Sequence, residues 1–317
     1  MSGGPTARPA LDRLFKAVNT AAMPSVFANG IEIFYERFGA PGNPTLLLVS
    51  GLGAQSIGYD DELCEAIASL GLDVIRYDNR DVGLSTHFSD ADAGDINTKL
   101  LQAMMGEAVE APYTLSDMAD DGMGLLTQLG IGSAHLVGAS MGGMIVQTMA
   151  IEHPERVLTL TSVMSTTGEP EYGTPEPDCL AGLVSIMQPA ETHEERVATG
   201  VALQKIIGTE AEFDLERVQA KVEHAISRNY DPDGTGRQLL AVLASGSRAE
   251  HLPGVGVPTM VLHGDADRLV TISGGHRTAE LIPTAEFRQM DGMGHDLPPS
   301  YWDRAIGAVD DVIGRAG

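Results

Sequence analysis

One serine lies in a setting that would make it a nucleophile. The segment 138–142, Gly-Ala-Ser-Met-Gly, is a G-x-S-x-G, and it stands where an apolar run (134–137) meets a helical pattern (142–153). A sharp strand-to-helix turn lifts a serine hydroxyl clear of the backbone, and glycines at its flanks leave room for that turn. The pattern predicts Ser140 as the nucleophile of a covalent mechanism. The alternative is the glycine-rich turn of a nucleotide-binding sheet, but this segment lacks G-x-G-x-x-G.

A serine nucleophile needs a base, because its hydroxyl is a poor nucleophile at neutral pH. The best candidate is His295, which lies in a glycine-rich loop (292–298) after the last predicted strand. Among the nine histidines, His263 at the end of an apolar run is the weaker rival, and the patterns around the other seven favour structural or surface positions. We therefore expect His295 to take the proton of Ser140.

The base must in turn be oriented by an acid, and two carboxylates are placed to do so. Asp265 and Asp267 both follow the apolar run 259–262. Asp265 is so close to the end of this predicted strand that we expect it to shape the loop. Asp267 is far enough along the chain to turn back toward His295, and we predict it as the acid.

The elements that must hold these residues alternate between strand and helix. Two β-rich runs flank Asn29-Gly30 within 26–35, which predicts an antiparallel hairpin. Unbroken apolar runs are typical of strands covered on both faces, so the alternation predicts an α/β fold with a mostly parallel, doubly wound sheet. The further predicted strands are 45–49, 73–77, 134–137, 157–160, 259–262 and 285–288, and the predicted helices of this layer are 61–70, 114–130, 142–153 and 301–313.

The alternation stops between about residues 165 and 249, where helical patterns such as 194–207 and 215–226 replace the apolar strands. We call 165–249 the cap segment, because a helical insertion in an α/β sheet is expected to cover one end of the strands. The predicted organisation is a lead-in (1–24), a core (25–164 and 250–317) and the helical cap. Apolar residues of the cap segment are interpreted either as the roof of a pocket or as ordinary core. They are Leu180, Leu183, Val184, Ile186 and Met187.

Composition limits the partners and the compartment. The 317 residues hold 20 basic and 44 acidic side chains, a net charge of −24, and such a field repels nucleic acid and anionic membranes. Two cysteines, Cys64 and Cys179, are too few for a disulfide framework or a cysteine metal cluster. The first residues lack the apolar core of a signal peptide, and the uncharged stretch 129–151 has too many glycines and polar groups for a membrane span. We expect an acidic, cytoplasmic protein.

With these motifs and this order of strands and helices, the chain resembles the α/β-hydrolase fold family from about residue 26 to the C-terminus. The family's nucleophile motif matches Ser140, its G-x-x-D motif matches 264–267 with Asp267 as the acid, and its G-x-G-H motif matches 292–295. The segment 76–85, Arg-Tyr-Asp-Asn-Arg-Asp-Val-Gly-Leu-Ser, is similar to the esterase branch that contains aclacinomycin methylesterase. The resemblance implies a Ser-His-Asp triad of Ser140, His295 and Asp267.

The resemblance also implies an oxyanion hole made of two backbone N–H groups, those of Leu52 and Met141. The family commonly has His-Gly after its first parallel strand, whereas this chain has Ser50-Gly51. The histidine that commonly braces this loop is therefore missing, although the backbone donor at Leu52 is retained.

The leading hypothesis is a serine carboxylic-ester hydrolase that forms an acyl-enzyme on a small-molecule ester, with no metal or cofactor. Cofactor-free perhydrolase or haloperoxidase-like activity and carbon–carbon bond hydrolysis use the same triad, so they stay open as alternatives. A ligand-binding protein on a hydrolase fold is the non-enzymatic alternative, and a broken triad would favour it. The sequence leaves the acyl and alcohol parts of the substrate and the oligomeric state open.

Overall fold

The computed structural model describes residues 24–316, so nearly all of the predicted lead-in (1–24) lies outside the described residues. The strands are β1 (Ser25–Ala28), β2 (Ile31–Phe38), β3 (Thr45–Val49), β4 (Asp73–Tyr77), β5 (Ala134–Ala139), β6 (Val157–Val163), β7 (Thr259–Gly264) and β8 (Ala285–Met290). They form one sheet in the order β1-β2-β4-β3-β5-β6-β7-β8. Pairs β1/β2 and β2/β4 are antiparallel and the other five pairs are parallel, which confirms the mostly parallel α/β sheet.

The opening hairpin forms because its turn residues accept a left-handed backbone. Asn29 and Gly30 have φ of 48° and 79°, the signs that a two-residue type I′ turn requires. Ala28 pairs directly with Ile31, so the turn is as tight as the sequence predicts.

Helices cover both faces of the sheet. The helices are α1 (Asp61–Ala68), α2 (Ile96–Met104), α3 (Leu115–Gln128), α4 (Met141–Glu152), α5 (Pro177–Ser185), α6 (His193–Ile207), α7 (Leu215–Arg228), α8 (Pro232–Ser245), α9 (Ser273–Leu281) and α10 (Trp302–Gly314). Short 3₁₀ turns cover Ser56–Gly58, Pro154–Arg156, Glu210–Glu212, Leu252–Gly254 and Pro299–Tyr301. One core cluster lies between the sheet, α3 and α4, and another lies between the sheet, α1 and α10. Strands β3 and β4 are buried throughout, as expected for strands covered on both faces.

Two helix starts show how the sequence specifies these elements. Thr114 and Asp117 form a reciprocal capping box at the start of α3, as predicted from their spacing. Helix α4 begins directly after Ser140, and ten of its twelve residues are buried against the sheet. A helix that is apolar on all sides is usually buried in a core. Burial of α4 in the core of the protein therefore accounts for the absence of charged residues in 129–151. No helix among residues 24–316 is both long and apolar enough to cross a membrane.

The structure adds helices that the apolar patterns do not indicate. Helix α2 is short, and its packed face consists of Ile96, Leu100 and Ala103, while the apolar Leu101 and Met104 are exposed. The cap segment holds α5 and α8 in addition to the two predicted helices, and both begin with a proline in the first turn. The assignment of 165–249 as a separate cap remains a prediction.

The apolar residues of the cap segment serve both interpretations given above. Met187 is buried in a cluster with residues of α8 and α2, while Leu180, Leu183 and Ile186 line a cavity over the sheet. Both cysteines are buried and free.

Candidate active site

Ser140 lies on a strained turn between β5 and α4. Its φ of 57° and ψ of −122° lie where a non-glycine residue is rarely found and persists only when its surroundings impose it. A Cβ at position 138 would collide with the carbonyl of Gly142, and a Cβ at position 142 would collide with that of Val49. The turn is fastened by hydrogen bonds from Ser140 N to Val163 O (2.9 Å) and from Ser165 Oγ to Ser140 O (2.7 Å). The glycines of the G-x-S-x-G are therefore needed sterically.

The imidazole of His295 joins the serine to an acid. Its Nε2 lies 2.9 Å from Ser140 Oγ, and its Nδ1 lies 2.7 Å from Asp267 Oδ2. A carboxylate only accepts, so Nδ1 carries the hydrogen and Nε2 is the acceptor for the serine hydroxyl. This is the arrangement in which an imidazole acts as a general base toward a serine. The structure therefore brings together Ser140, His295 and Asp267.

The Asp267 carboxylate is buried, and both of its oxygens accept hydrogen bonds. Its Oδ1 accepts the N–H groups of Leu269 and Val270, both at 2.9 Å. Burial raises the pKa of Asp267, but the charge of His295 and hydrogen bonds from His263 and His295 outweigh that effect and hold the pKa at about 2. The group is ionised at neutral pH and stabilises positive charge on the neighbouring imidazole.

Asp265, the rival carboxylate, points to a different part of the site. It is exposed, and its Oδ1 accepts the Gly292 N–H at 2.6 Å while Oδ2 lies 3.3 Å from Gln289 Nε2. These contacts hold the first residue of the loop that carries His295. Asp265 therefore bonds the loop of His295, whereas Asp267 contacts the imidazole.

His263, the rival base, supports the acid instead. It is fully buried, its Nε2 donates to Val270 O at 2.7 Å, and the same nitrogen lies 3.4 Å from Asp267 Oδ2. Its Nδ1 has no hydrogen-bond partner among residues 24–316 and faces Gly275. His263 therefore contacts the acid through Nε2 and is not the histidine that reaches Ser140. The end of an apolar strand is the sequence signal for such a buried position.

The loop of His295 is tied to the cap segment, which the sequence does not indicate. His295 N donates to Ile207 O at 2.7 Å, and Gly294 N donates to Thr209 Oγ1 at 2.9 Å. The Asp296 carboxylate accepts both the N–H and the hydroxyl of Thr209, at 2.8 and 2.6 Å. These partners lie 85 to 88 residues away in the chain, so local patterns do not reveal them.

The loop after β3 carries the first predicted oxyanion donor and lies against the serine. A Cβ at position 51 would be 3.2 Å from Ser140 Cβ. No protein acceptor is found within the described part of the chain for the N–H of Leu52 or of Met141. Met141 is the first residue of α4, where backbone N–H groups have no partner within the helix. Both N–H groups are thus free to donate to a ligand.

Side chains other than a histidine brace this loop. Asn79 Nδ2 donates to Ser50 O at 3.0 Å. Gln238, fully buried on α8, accepts the Gly53 N–H at 2.8 Å and donates to Arg80 O at 2.7 Å. Gln55 Nε2 extends the loop to α7 by donating to Ala225 O at 2.8 Å. Three side-chain amides therefore brace the loop where the family commonly has a histidine.

A large cavity opens above the triad. It has a volume of about 1570 Å³, and both Ser140 and His295 line it. Its walls are mainly apolar side chains of the sheet edge, α2, α4, α5 and α8, among them Met141, Met144, Leu183, Ile186, Leu239 and Val242. A space of this size and lining suits a substrate with a bulky apolar part.

One cluster of potential metal ligands lies outside this site. Oxygen or nitrogen atoms of Asp81, His87 and Asp231 lie within 4.8 Å of one another. Arg237 donates to both oxygens of Asp81 at 2.9 and 2.8 Å, and it lies 3.1 Å from Asp231. The guanidinium already supplies the positive charge, so the cluster is a buried ion-pair network and does not fit a metal ion.

Comparison with known proteins places this geometry among hydrolases. A family profile described as the alpha/beta hydrolase fold matches residues 44–299. A rhodomycin D methylesterase of Streptomyces peucetius is 27% identical, with 88% of this chain and 94% of the relative covered. A 2-hydroxy-6-oxononadienedioate/2-hydroxy-6-oxononatrienedioate hydrolase of Paraburkholderia phymatum is 26% identical over 94% of this chain and 98% of the relative. The crystal structure of an enol-lactonase from Burkholderia xenovorans superposes with a TM-score of 0.70 at 23% identity, covering 92% and 100% of the two chains. These relatives support a hydrolase.

Proposed function

Because this chain belongs to the α/β-hydrolase fold family, we propose that it is a serine carboxylic-ester hydrolase that works through an acyl-enzyme. The observation that carries the proposal is the continuous chain of contacts from Ser140 Oγ to His295 Nε2 (2.9 Å) and from His295 Nδ1 to Asp267 Oδ2 (2.7 Å). In the proposed mechanism Ser140 is the nucleophile, His295 the general base and acid, and Asp267 the group that orients the imidazole.

The first half of the reaction acylates the serine. Ser140 Oγ attacks the ester carbonyl carbon while its proton passes to His295 Nε2. The tetrahedral intermediate collapses, the bond to the alcohol oxygen breaks, and the alcohol leaves with the proton from Nε2. In the second half water attacks the acyl group, gives a proton to Nε2, and the carboxylic acid leaves as that proton returns to Ser140 Oγ.

The negative oxygen of each tetrahedral intermediate needs fixed donors. The N–H groups of Leu52 and Met141 flank Ser140 and lack acceptors within residues 24–316, which supports them as the oxyanion hole. Removing one such donor in a serine protease costs a factor of about 10² to 10³ in turnover. Asp267, ionised because of its low pKa, stabilises the imidazolium that forms at the same moment.

The substrate that we propose is a small-molecule ester with a bulky apolar part, since the cavity is large and mainly apolar. A carbon–carbon bond hydrolase on the same triad is the second candidate, because a relative named as an oxononadienedioate hydrolase matches along 94% of this chain. The methylesterase relative, matched at a similar identity, keeps ester hydrolysis as the first candidate. The ratio of kcat/KM for a methyl ester to that for 2-hydroxy-6-oxononadienedioate, the substrate named for the relative, separates the two, because both candidates use the same triad and differ in the substrate that they prefer.

The central test is covalent labelling with a fluorophosphonate, which reacts with an activated serine beside an oxyanion hole. We expect the label on Ser140, and we expect Ser140→Ala to lose both the label and ester turnover with an unchanged circular dichroism spectrum. Ser185→Ala is the matched control, because Ser185 is exposed on α5, and it should label and turn over like the wild type. Undiminished turnover in Ser140→Ala would refute the proposal.

A further inference from the structure

One buried arginine at the cavity differs from all the others. Among residues 24–316 the buried arginines are Arg76, Arg80, Arg237 and Arg248. The first three each form an ion pair with at least one carboxylate, at 2.6 to 3.1 Å. Arg248 forms none with any described residue, although its exposed fraction is only 6%. A buried charge without an opposite charge is unfavourable, so this position calls for an explanation.

The partners of Arg248 are all neutral. Its Nε donates to Gln147 Oε1 at 3.0 Å, and its terminal nitrogens donate to the carbonyls of Gly246 (3.2 Å) and Thr166 (3.0 Å). A guanidinium has five N–H groups, so one on each terminal nitrogen lacks a protein acceptor within the described chain. Burial lowers the pKa of Arg248 to about 10, which still leaves the group charged at neutral pH.

This cation lines the same cavity as the triad. Ser140 and Arg248 are both part of its wall, and the apolar side chains of Met144, Val242 and Leu243 also line it. Gln147, which holds Arg248, is seven residues after Ser140 along α4 and therefore about 10 Å further along the helix axis. Glu169, an acid of the same wall, is already paired with Arg277 at 2.9 and 3.0 Å. The cavity thus has a nucleophile and, at a distance from it, an uncompensated positive charge.

Resting on the esterase function proposed above, we propose that Arg248 binds a carboxylate carried by the substrate at the end remote from the scissile ester. The two free N–H groups would donate to its oxygens, and charge-assisted bonds of this kind are the strong ones. The substrate class is then an ester that also bears a carboxylate: a monoester of a dicarboxylic acid, or an ester of a carboxylated alcohol. The apolar middle of such a molecule fits the apolar wall between Ser140 and Arg248.

The test compares esters that differ only at the remote end. Two series of increasing chain length are prepared, with the remote group on the acyl or on the alcohol side, and each ester carries either a carboxylate or the nearly isosteric carboxamide. We expect the wild type to prefer the carboxylate by about tenfold or more in kcat/KM at the best length in one series. Arg248→Met should remove this preference and Arg248→Lys should retain part of it. Arg288→Met, which removes the same charge from an exposed pair with Asp311, should keep it in full.

Equal kcat/KM for carboxylate and carboxamide in the wild type, at all lengths and in both series, would overturn the proposal. A preference that persists in Arg248→Met would do the same. If Arg248→Met does not fold, the wild type decides: linear dicarboxylates should inhibit hydrolysis of a neutral ester at least about tenfold more strongly than their diamides, and equal inhibition refutes the carboxylate site. Labelling of Ser140 and turnover of neutral esters report the esterase function separately, so the two proposals can fail independently.

Discussion

The backbone N–H of His295 donates to the carbonyl oxygen of Ile207 at 2.7 Å. Ile207 is the last residue of α6, so the proposed general base is held by the cap segment. Gly294 and Asp296 on either side of His295 both bond to Thr209. The position of the imidazole therefore depends on the cap segment as well as on the sheet that carries Ser140.

Thr209→Val should impair turnover through the position of His295. The change removes the hydroxyl that accepts from Gly294 N and donates to Asp296 while it keeps the side-chain volume nearly constant. Because small displacements of catalytic groups cost up to about a hundredfold, we expect kcat to fall by roughly ten- to a hundredfold with little change in KM. Thr278→Val is the control, since its equally buried hydroxyl bonds a carbonyl of α9. Equal kcat in both variants would contradict the anchoring role.

The two carboxylates after β7 should respond differently to loss of charge. Asp267→Asn removes the acceptor for His295 Nδ1–H and favours the wrong tautomer, a change that costs about 10⁴ in turnover in a serine protease. We expect a loss of several orders of magnitude in kcat, measured on a p-nitrophenyl ester. Asp265→Asn should lower mainly the melting temperature, because it weakens the bond to Gly292. An inactive Asp265→Asn beside a nearly normal Asp267→Asn would reverse the assignment.

Asp267 should also make stability depend on pH in the acid range. Its pKa is about 2 in the folded chain, below the value of about 3.9 for an unfolded chain. Folding therefore favours the ionised form, and this stabilisation is complete above about pH 5 and is lost as the pH falls toward 2. Between pH 5 and pH 3 the free energy of unfolding of the wild type should fall by about 1 kcal/mol more than that of Asp267→Asn. Urea titrations at both pH values measure these free energies. An equal fall in wild type and Asp267→Asn would contradict the low pKa.

Gln238 should matter for the oxyanion loop. Gln238→Met keeps the shape but leaves Gly53 N and Arg80 O without their partner, so we expect a stability loss of about 1–3 kcal/mol. Weaker binding of a trifluoromethyl ketone, which places an oxyanion in the same hole, should accompany it. Gln238→Glu retains an acceptor for Gly53 N and should bind the ketone with intermediate affinity. Unchanged affinity in both variants would show that Gln238 only stabilises the fold.

The sequence predicts the parts of this molecule that depend on near neighbours. Three local features form as expected, because each needs only certain residue types at a fixed short spacing. They are the hairpin at Asn29-Gly30, the capping box of Thr114 and the strand-to-helix turn at Ser140. Asp267 pairs with His295 as predicted. It lies two residues further from the end of β7 than Asp265, which lets its side chain turn back toward the imidazole. Their catalytic roles stay predictions that the variants above test.

The features that the sequence does not indicate depend on side chains far apart in the chain. Gln238 meets Gly53 across 185 residues, and Arg248 meets Gln147 across 101. Glutamine and arginine side chains are usually solvated, so the sequence alone does not indicate that Gln238 and Arg248 are buried. Helix α2 is hard to predict for another reason, because only Ile96 among its residues is buried and the apolar Leu101 and Met104 are exposed.

The bonds from the cap segment limit how this chain can be recombined with its relatives. Ile207 and Thr209 hold the loop of His295, Ala225 accepts from Gln55, and Gln238 holds Gly53. A chimaera that exchanges residues 165–249 for another protein's insertion would replace all of these partners at once. Such a protein would fold its sheet but misplace both the base and the oxyanion donors. Substrate range is therefore better altered by single substitutions on the cavity wall than by exchange of the whole insertion.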